Sequence, residues 1–117
     1  MYIYMLKCAD NSLYTGIAKD IEKRIRQHLG EIKGGAKYTK SHKPAKLVSL
    51  WKTDSESGAR RLEIAIKALD RKEKEVFAEG NIGIFWDNLS EYDFAKESIN
   101  ELNEKFFSNK SNKKVSP

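Results

Sequence analysis

Residues 2–17, YIYMLKCADNSLYTGI, decide the fold of this chain. The stretch 2–8 combines aromatic, β-branched and other apolar residues, a composition that favours an extended strand. The cluster ADNS at 9–12 supplies turn formers, and LYTGI at 13–17 returns to strand character. Two short strands joined in this way predict an antiparallel β-hairpin. Gly16 lies near the end of the second strand, where it permits a bulge or a close backbone approach.

A helical period follows the hairpin in KDIEKRIRQHLG, residues 19–30. Asp20 is expected to cap the start of this helix, and Gly30 is expected to end it. Arg24 and His28 lie four residues apart and therefore share one helical face. The apolar stripe that packs inward has the same spacing and consists of Ile21, Ile25 and Leu29.

The segment after this helix is a basic loop, residues 30–46, with three glycines, five lysines, a proline and a tyrosine. One short helical or extended piece is expected inside it. LVSLWKT at 47–53 predicts a strand, and TDSES then offers cap residues for a helix over about 55–69. The buried stripe expected on that helix consists of Ala59, Leu62, Ala65, Ile66 and Leu69.

Three further segments complete the chain. Asp70 followed by Glu73 predicts a capping box that opens a short helix ending before Gly80. Residues 81–89 form an apolar connector, and Ser90 is expected to cap a last helix. The apolar residues at helical spacing on that last helix are Ala95, Ile99, Leu102 and Phe106. Strands and helices in this order predict a small mixed α/β domain.

Composition limits the classes of function that this chain can have. A length of 117 residues suits one domain, and the single Cys8 excludes a disulfide framework and a multi-cysteine zinc site. No apolar run approaches a membrane-spanning length, and no basic leader precedes an apolar stretch, so we expect a cytoplasmic protein without membrane partners. Residues 1–80 carry 17 Lys and Arg against 11 Asp and Glu. This excess fits either attraction to phosphate backbones or ordinary solubility.

The order and spacing of certain side chains is more specific than the elements themselves. The chain has YIY at 2–4, LYTGI at 13–17, DIEKR at 20–24, His28, GAKYT at 35–39 and RRLE at 60–63. This ordered set resembles the GIY-YIG nuclease family. It is most similar to the small stand-alone bacterial branch related to structure-selective, branched-DNA endonucleases. The resemblance covers residues 1 to about 80.

The resemblance implies a fold that agrees with the independent interpretation of the elements. The family fold is a small antiparallel three-stranded sheet flanked by helices, in the α/β (α+β) class. We therefore expect a GIY-YIG nuclease-like domain over residues 1–80. Residues 81–107 would be a C-terminal helical extension packing on or beside it, and residues 108–117 a disordered tail.

The resemblance also implies a catalytic site of five side chains. Tyr4 and Tyr14 match the tyrosines of the two motifs, and Arg24 matches the helix arginine that binds non-bridging phosphate oxygens. Glu63 matches the metal-binding glutamate, and one carboxylate suits one Mg²⁺ or Mn²⁺ ion, which keeps several waters. His28 matches a histidine used in several branches. The general base is Tyr4, Tyr14 or His28, with a slight preference for Tyr4.

Four further residues are expected to contact nucleic acid. Gly16 matches the motif glycine that lets the chain lie close to the scissile phosphate. Lys37, Tyr38 and Lys40 belong to the basic loop, where lysines grip phosphates and a tyrosine stacks on a base. The alternative for this loop is that its lysines are simply solvated.

The function that follows from these residues is a metal-dependent endonuclease or nickase that hydrolyses DNA in repair or recombination. A domain this small should select DNA by shape rather than by sequence, so branched, damaged or single-stranded DNA is the expected partner. The alternative is a non-catalytic nucleic-acid-binding or adaptor protein that retains the fold. The C-terminal extension either docks a protein partner or simply covers the domain.

Overall fold

The computed structural model describes residues 1–80, 89 and 91–108, and the structural statements below concern these residues. The strands are β1 (Tyr2–Cys8), β2 (Leu13–Ala18), β3 (Pro44–Lys52) and β4 (Ala95–Lys96). The helices are α1 (Ile21–His28), α2 (Lys37–Ser41), α3 (Glu56–Lys67), α4 (Arg71–Ala78) and α5 (Asn100–Asn103), and a π-helical turn, Glu104–Ser108, follows α5. Within these residues, no helix is both long and apolar enough to cross a membrane.

The predicted hairpin is confirmed and forms one half of an antiparallel sheet. β1 pairs with β2 so that Tyr4 lies opposite Gly16 and Leu6 opposite Tyr14. Asn11 takes a positive φ of 73° in the turn, a conformation that asparagine tolerates better than most residues. The strand order is β2-β1-β3-β4, so β1 is flanked on both sides. The sheet and its helices confirm the α/β fold class.

Local signals in the sequence set the helix ends. The Asp20 side chain accepts a hydrogen bond from the Lys23 amide at 3.0 Å, and Gly30 beyond α1 has a φ of +81°. Ser55 caps α3 by accepting from the Gly58 amide at 2.9 Å. The capping box at Asp70 is confirmed, because both of its reciprocal bonds to Glu73 are present. The short piece expected inside the basic loop is helical and is α2.

Strand alternation divides the core between the two faces of the sheet. One face carries Ile3 and Met5 of β1 under the buried stripe of α3 and under Phe77 of α4. The other face carries Tyr4 and Leu6 of β1, covered by α1 and the C-terminal segment. Full burial of each aliphatic side chain contributes roughly 1.5–3 kcal/mol, so both layers stabilise the central strand.

The predicted last helix from Ser90 through Ala95 to Phe106 is wrong in its first part. Ala95 and Lys96 form β4, which pairs with the outer edge of β3, and α5 begins only at Asn100. The sheet therefore has four strands in place of the expected three. The edge of β3 supplies hydrogen-bond partners that outweigh the helical spacing of the apolar residues. Ser90, the connector at 81–88 and the tail at 109–117 lie outside the described residues.

The C-terminal segment, defined here as residues 91–107, is fastened to β3 and α1. The Asn103 side chain accepts from the Leu47 amide at 2.7 Å and donates to the Leu47 carbonyl at 2.8 Å. Lys105 Nζ lies 2.7 Å from Glu22 Oε1 on α1. The segment packs against the Tyr4 face through Ile99, Leu102, Phe106 and Phe107. The division of the chain at residue 80 stays a prediction.

Candidate active site

Tyr4 lies at the centre of the site, and Gly16 makes room for it. The Tyr4 side chain is 1% exposed although it ends in a polar hydroxyl. A Cβ atom added at Gly16 would lie 2.5 Å from Tyr4 Oη and 2.7 Å from Cζ, well inside contact distance. Tyr4 and Gly16 are paired across the hairpin, so the Tyr4 ring packs over the Gly16 backbone.

The Tyr4 hydroxyl joins the two polar side chains of α1. Tyr4 Oη lies 2.6 Å from His28 Nε2, and Arg24 Nε donates to the same oxygen at 3.3 Å. Arg24 and His28 are brought together because they lie one helical turn apart on α1. The sequence predicted this shared face, and the structure adds that the face is directed at Tyr4.

Burial sets the protonation states of this group. Burial raises the pKa of the Tyr4 hydroxyl well above its ordinary value of 10, and the bond from Arg24 only partly opposes this. Burial and then the Arg24 charge lower the pKa of His28 to about 4. At neutral pH, therefore, Tyr4 keeps its proton and His28 is a neutral imidazole that can accept one.

The second ring nitrogen of His28 contacts α2. His28 Nδ1 lies 2.8 Å from Thr39 Oγ1, and Thr39 Oγ1 donates to the Ala36 carbonyl at 3.1 Å. Thr39 is 4% exposed, so this contact is closed to solvent. No role for Thr39 was predicted, although it belongs to the GAKYT string that carried the resemblance.

The Arg24 guanidinium is held in place by the loop that follows α1. Its Nη1 donates to Gln27 Oε1 at 2.8 Å and to the Gly34 carbonyl at 2.7 Å. Burial lowers the pKa of Arg24, but bonds and charge interactions with Tyr4 and Tyr14 outweigh it and raise the pKa above its usual value. The guanidinium is therefore always charged and points into the site. Gln27 was missed by sequence reasoning, although its position three residues after Arg24 on one helix was a readable signal.

Tyr14 lies beside this group as the first ring of an aromatic row. Its ring centroid is 5.1 Å from that of His28 and 5.7 Å from that of Tyr38, and Tyr38 stacks on His42 at 4.0 Å. His42 Nδ1 lies 2.6 Å from Asp10 Oδ2 in the hairpin turn. The row therefore ties α2 to the hairpin. The Tyr38 ring expected to stack on a base already stacks on His42, and the side chain is 36% exposed.

Glu63 belongs to the layer on the opposite face of the sheet from α1. It lies on α3, which packs against β2, and its charge acts on the pKa of Tyr4. Its side chain is 19% exposed, and Lys67 Nζ lies 3.1 Å from its Oε2. The described residues contain no group of three or more His, Cys, Asp or Glu that could hold a metal ion. A single carboxylate fits a hard cation such as Mg²⁺ or Mn²⁺, whose other ligands are waters and phosphate oxygens, and does not fit a zinc site.

Two cationic grooves flank the buried group. One, of about 870 Å³, runs along the loop and α2 and is lined by His28, Thr39, Lys40 and Lys43 among others. The other, of about 380 Å³, runs along α1 and is lined by Lys19, Lys23 and Arg24 with Ile17, Ala18, Asp20 and Gln27. Lys37 is exposed on α2. Of the predicted lysines, Lys40 lines a groove beside His28, while Tyr4, Tyr14, Arg24 and His28 are packed together.

The side chains that the family resemblance implies for the site lie on these elements, with two tyrosines on the hairpin, Arg24 and His28 on α1, and Glu63 on α3. The family model described as the GIY-YIG catalytic domain matches residues 1–76. This chain belongs to the GIY-YIG family. Its GIY-YIG domain is nuclease-like, and the predicted resemblance is confirmed.

Curated proteins from several microorganisms share this GIY-YIG domain. A UPF0213 protein of Fusobacterium nucleatum is 51% identical over 74 residues, which are 63% of this chain and 72% of that protein. A UPF0213 protein of Staphylococcus saprophyticus is 49% identical over 80 residues, covering 68% of this chain and 95% of that protein. The solution NMR structure of a UPF0213 protein from Bacillus halodurans is 41% identical, with a TM-score of 0.44, and the match covers 67% of this chain and 81% of that one.

Proposed function

We propose that this GIY-YIG protein is a metal-dependent endonuclease or nickase that hydrolyses DNA phosphodiester bonds. The observation that carries the proposal is the Tyr4 hydroxyl, which is buried and shared between Arg24 and His28, with the Glu63 charge acting on it. Hydrolysis of a phosphodiester needs an activated water, cationic groups for the phosphoryl oxygens and a route for a proton. These residues offer all three functions within one small site.

Arg24 supplies the fixed positive charge. Its Nη1 is already oriented by Gln27 and the Gly34 carbonyl, so little side-chain entropy is lost when a phosphate binds. Lys40 and Lys43 on one side and Lys19 and Lys23 on the other line the grooves that lead away from it. Lysines that bind the phosphate backbone carry no sequence information, which supports selection of DNA by shape and not by sequence.

Tyr4 and His28 form the proton route. As the water oxygen bonds to phosphorus, the bond from phosphorus to the leaving oxygen breaks, and that oxygen keeps the electron pair and takes up a proton from bulk water. The proton of the attacking water passes to Tyr4 Oη and the Tyr4 proton passes to His28 Nε2, so that one proton enters the pair. The pKa values of both groups in the substrate-free protein oppose this transfer. A bound phosphate would neutralise the Arg24 charge that helps to lower the pKa of His28, and so would favour the transfer. The 2.6 Å contact between Tyr4 Oη and His28 Nε2 supports Tyr4 as the base with His28 as its acceptor.

Glu63 would hold the divalent cation. When bound there, Mg²⁺ or Mn²⁺ would supply Lewis-acid polarisation of the phosphate and positive charge that favours the Tyr4 phenolate. The partial burial of the Glu63 carboxylate makes it a stronger ligand than a fully solvated one. Lys67 is half exposed and mobile enough in principle to give way, because an exposed ion pair of this kind is worth at most about 1 kcal/mol.

The wider role that fits these features is cleavage of branched, damaged or single-stranded DNA in repair or recombination in the cytoplasm. Of the two roles expected for the extension, coverage of the domain is the better supported. Its residues Ile99, Leu102, Phe106 and Phe107 are already packed against the Tyr4 face, so these four side chains are used within the domain.

One observation favours the alternative of a non-catalytic nucleic-acid-binding protein. Lys67 lies 3.1 Å from the only carboxylate assigned to the metal, and its positive charge competes with a cation there. In that case, the grooves would still bind DNA while Glu63 served α3 as an ordinary ion-pair partner.

A cleavage assay separates the two functions. Nicked, flapped, single-stranded and duplex DNA would be incubated with the protein and Mg²⁺ or Mn²⁺, alongside a Glu63→Gln variant. Glu56→Gln is the matched control, because Glu56 lies on the same helix and pairs only with exposed Arg60. We expect cleavage that is lost in Glu63→Gln and retained in Glu56→Gln. DNA binding without cleavage by the unaltered protein would establish the alternative.

A further inference from the structure

The hydrogen bonds around His28 run in one direction only, and Thr39 sets that direction. The Thr39 hydroxyl donates its single proton to the Ala36 carbonyl at 3.1 Å, an oxygen that also accepts from the Lys40 amide at 3.3 Å. The Thr39 oxygen is then available to His28 only as an acceptor. Because His28 Nδ1 lies 2.8 Å away, Nδ1 must carry a hydrogen.

The other side of the imidazole follows from this assignment. A neutral imidazole has one N–H, so Nε2 of His28 is unprotonated and accepts from the Tyr4 hydroxyl at 2.6 Å. The Tyr4 oxygen in turn accepts from Arg24 Nε at 3.3 Å. In this series of hydrogen bonds, which runs from Arg24 Nε through Tyr4, His28 and Thr39 to the Ala36 carbonyl, each donor therefore has one acceptor. If Nδ1 were unprotonated, the Thr39 hydroxyl would have two acceptors and only one proton.

We propose that Thr39 is a positioning residue whose hydroxyl holds His28 as the Nδ1–H tautomer and so presents Nε2 to Tyr4 as a proton acceptor. This goes beyond the five side chains expected in the site, because Thr39 acts through His28 and is not one of them. The tautomer itself does not depend on any activity. Its consequence for catalysis rests on the proposed nuclease function.

α2 is placed where it can perform this task. The stack of Tyr38 on His42, and the contact of His42 with Asp10 at 2.6 Å, fix both ends of this short helix on the hairpin. Thr39 lies between them and is 4% exposed, whereas its neighbour Lys40 is exposed. A rigid α2 keeps the hydroxyl within hydrogen-bonding distance of Nδ1.

The test is nitrogen NMR on protein labelled with ¹⁵N-histidine, which reports which ring nitrogen carries the hydrogen. In the unaltered protein at neutral pH, we expect His28 Nδ1 to be protonated and Nε2 unprotonated. Thr39→Val keeps the shape and removes the hydroxyl, so we expect the His28 tautomers to become mixed. Thr39→Ser keeps the hydroxyl and should restore the single tautomer.

Each outcome decides the proposal. A protonated Nε2 in unaltered neutral His28 would overturn it without any variant, and so would a folded Thr39→Val protein with an unchanged tautomer. His42, whose Nδ1 contacts Asp10 and not Thr39, is the internal reference and should not change. Should Thr39→Val fail to fold, the unaltered protein and Thr39→Ser still decide the assignment.

A second measurement separates this proposal from the nuclease proposal. If the protein cleaves DNA, Thr39→Val should lower kcat by roughly 10- to 100-fold with KM nearly unchanged, and Thr39→Ser should recover most of it. If Thr39→Val loses the single His28 tautomer but keeps the kcat of the unaltered protein, the proposed role of that tautomer in catalysis is overturned. Absence of cleavage in the unaltered protein would overturn the nuclease function and leave the tautomer result standing.

Discussion

Gly16→Ala tests the central packing of the site, and its effect can be worked out from distances. The new methyl group would lie 2.5 Å from Tyr4 Oη, while ordinary contact begins near 3.4 Å, so the hydroxyl must retreat by about 1 Å. Tyr4 is 1% exposed and packed on every side, so its ring has no free space to enter. Overpacking of this kind costs about 1–3 kcal/mol. Lengthening the 2.6 Å contact with His28 beyond hydrogen-bonding range adds about 1 kcal/mol.

We therefore expect Gly16→Ala to lower the free energy of unfolding by about 2–4 kcal/mol, a fall in Tm of roughly 10 °C. Urea and thermal denaturation followed by circular dichroism measure this. A displacement of about 1 Å at a reacting group also costs on the order of 100-fold in rate, which the DNA cleavage assay measures.

Gly30→Ala is the matched control for this prediction. Gly30 has a φ of +81° and nothing within 4 Å of the added Cβ, so the substitution strains the backbone without touching Tyr4. It should cost roughly 1–2 kcal/mol and leave cleavage unchanged. The reasoning is refuted if Gly16→Ala is no less stable than Gly30→Ala and cleaves DNA at the normal rate.

Three further predictions concern different parts of the chain. The pKa of His28 is about 4 in the folded protein and 6.5 ordinarily, so as the pH falls the unfolded chain binds a proton before the folded protein does. The free energy of unfolding should therefore be at its full value above pH 6.5 and fall by about 3 kcal/mol towards pH 4. In urea denaturation at a series of pH values, His28→Gln should show a weaker dependence of the free energy of unfolding on pH. Asn103→Ala removes both bonds to Leu47 and should lower stability by about 1–3 kcal/mol, whereas exposed Asn100→Ala should not; equal melting of the two variants would contradict this. Arg24→Lys cannot rebuild the guanidinium contacts and should lower kcat on DNA by roughly 100-fold, and an undiminished rate would show that the guanidinium geometry is unimportant.

Much of the fold was readable because its signals are local. The cap side chains of Asp20, Ser55 and Asp70 accept from amides three residues ahead, so each cap can be predicted from a few consecutive residues. The hairpin has the same property, and its register places Tyr4 opposite Gly16. The family resemblance then supplied the roles of the conspicuous side chains.

The remainder depends on contacts between distant segments. Thr39 lies 11 residues from His28, and Asp10 lies 32 residues from His42, and no helical or strand period links such pairs. The helix predicted over Ala95 was wrong for the same reason. Ala95 has the spacing of a helix, but its backbone conformation is set by the strand beside it. Periodicity in the sequence indicates which face of a helix or strand is apolar. It does not indicate which other segment that face packs against, or which strand the backbone pairs with.

The attachment of the C-terminal segment to β3 has a consequence for how copies of this protein behave towards each other. The Leu47 amide and carbonyl bond to Asn103, and the Leu50 carbonyl accepts from the Glu97 amide at 2.9 Å. A chain shortened to the matched domain would expose these groups beside the apolar residues of β3. Open strand edges of that kind pair with one another and lead to aggregation. The segment therefore also acts as a built-in protection against self-association, which any shortened version of the protein would have to replace.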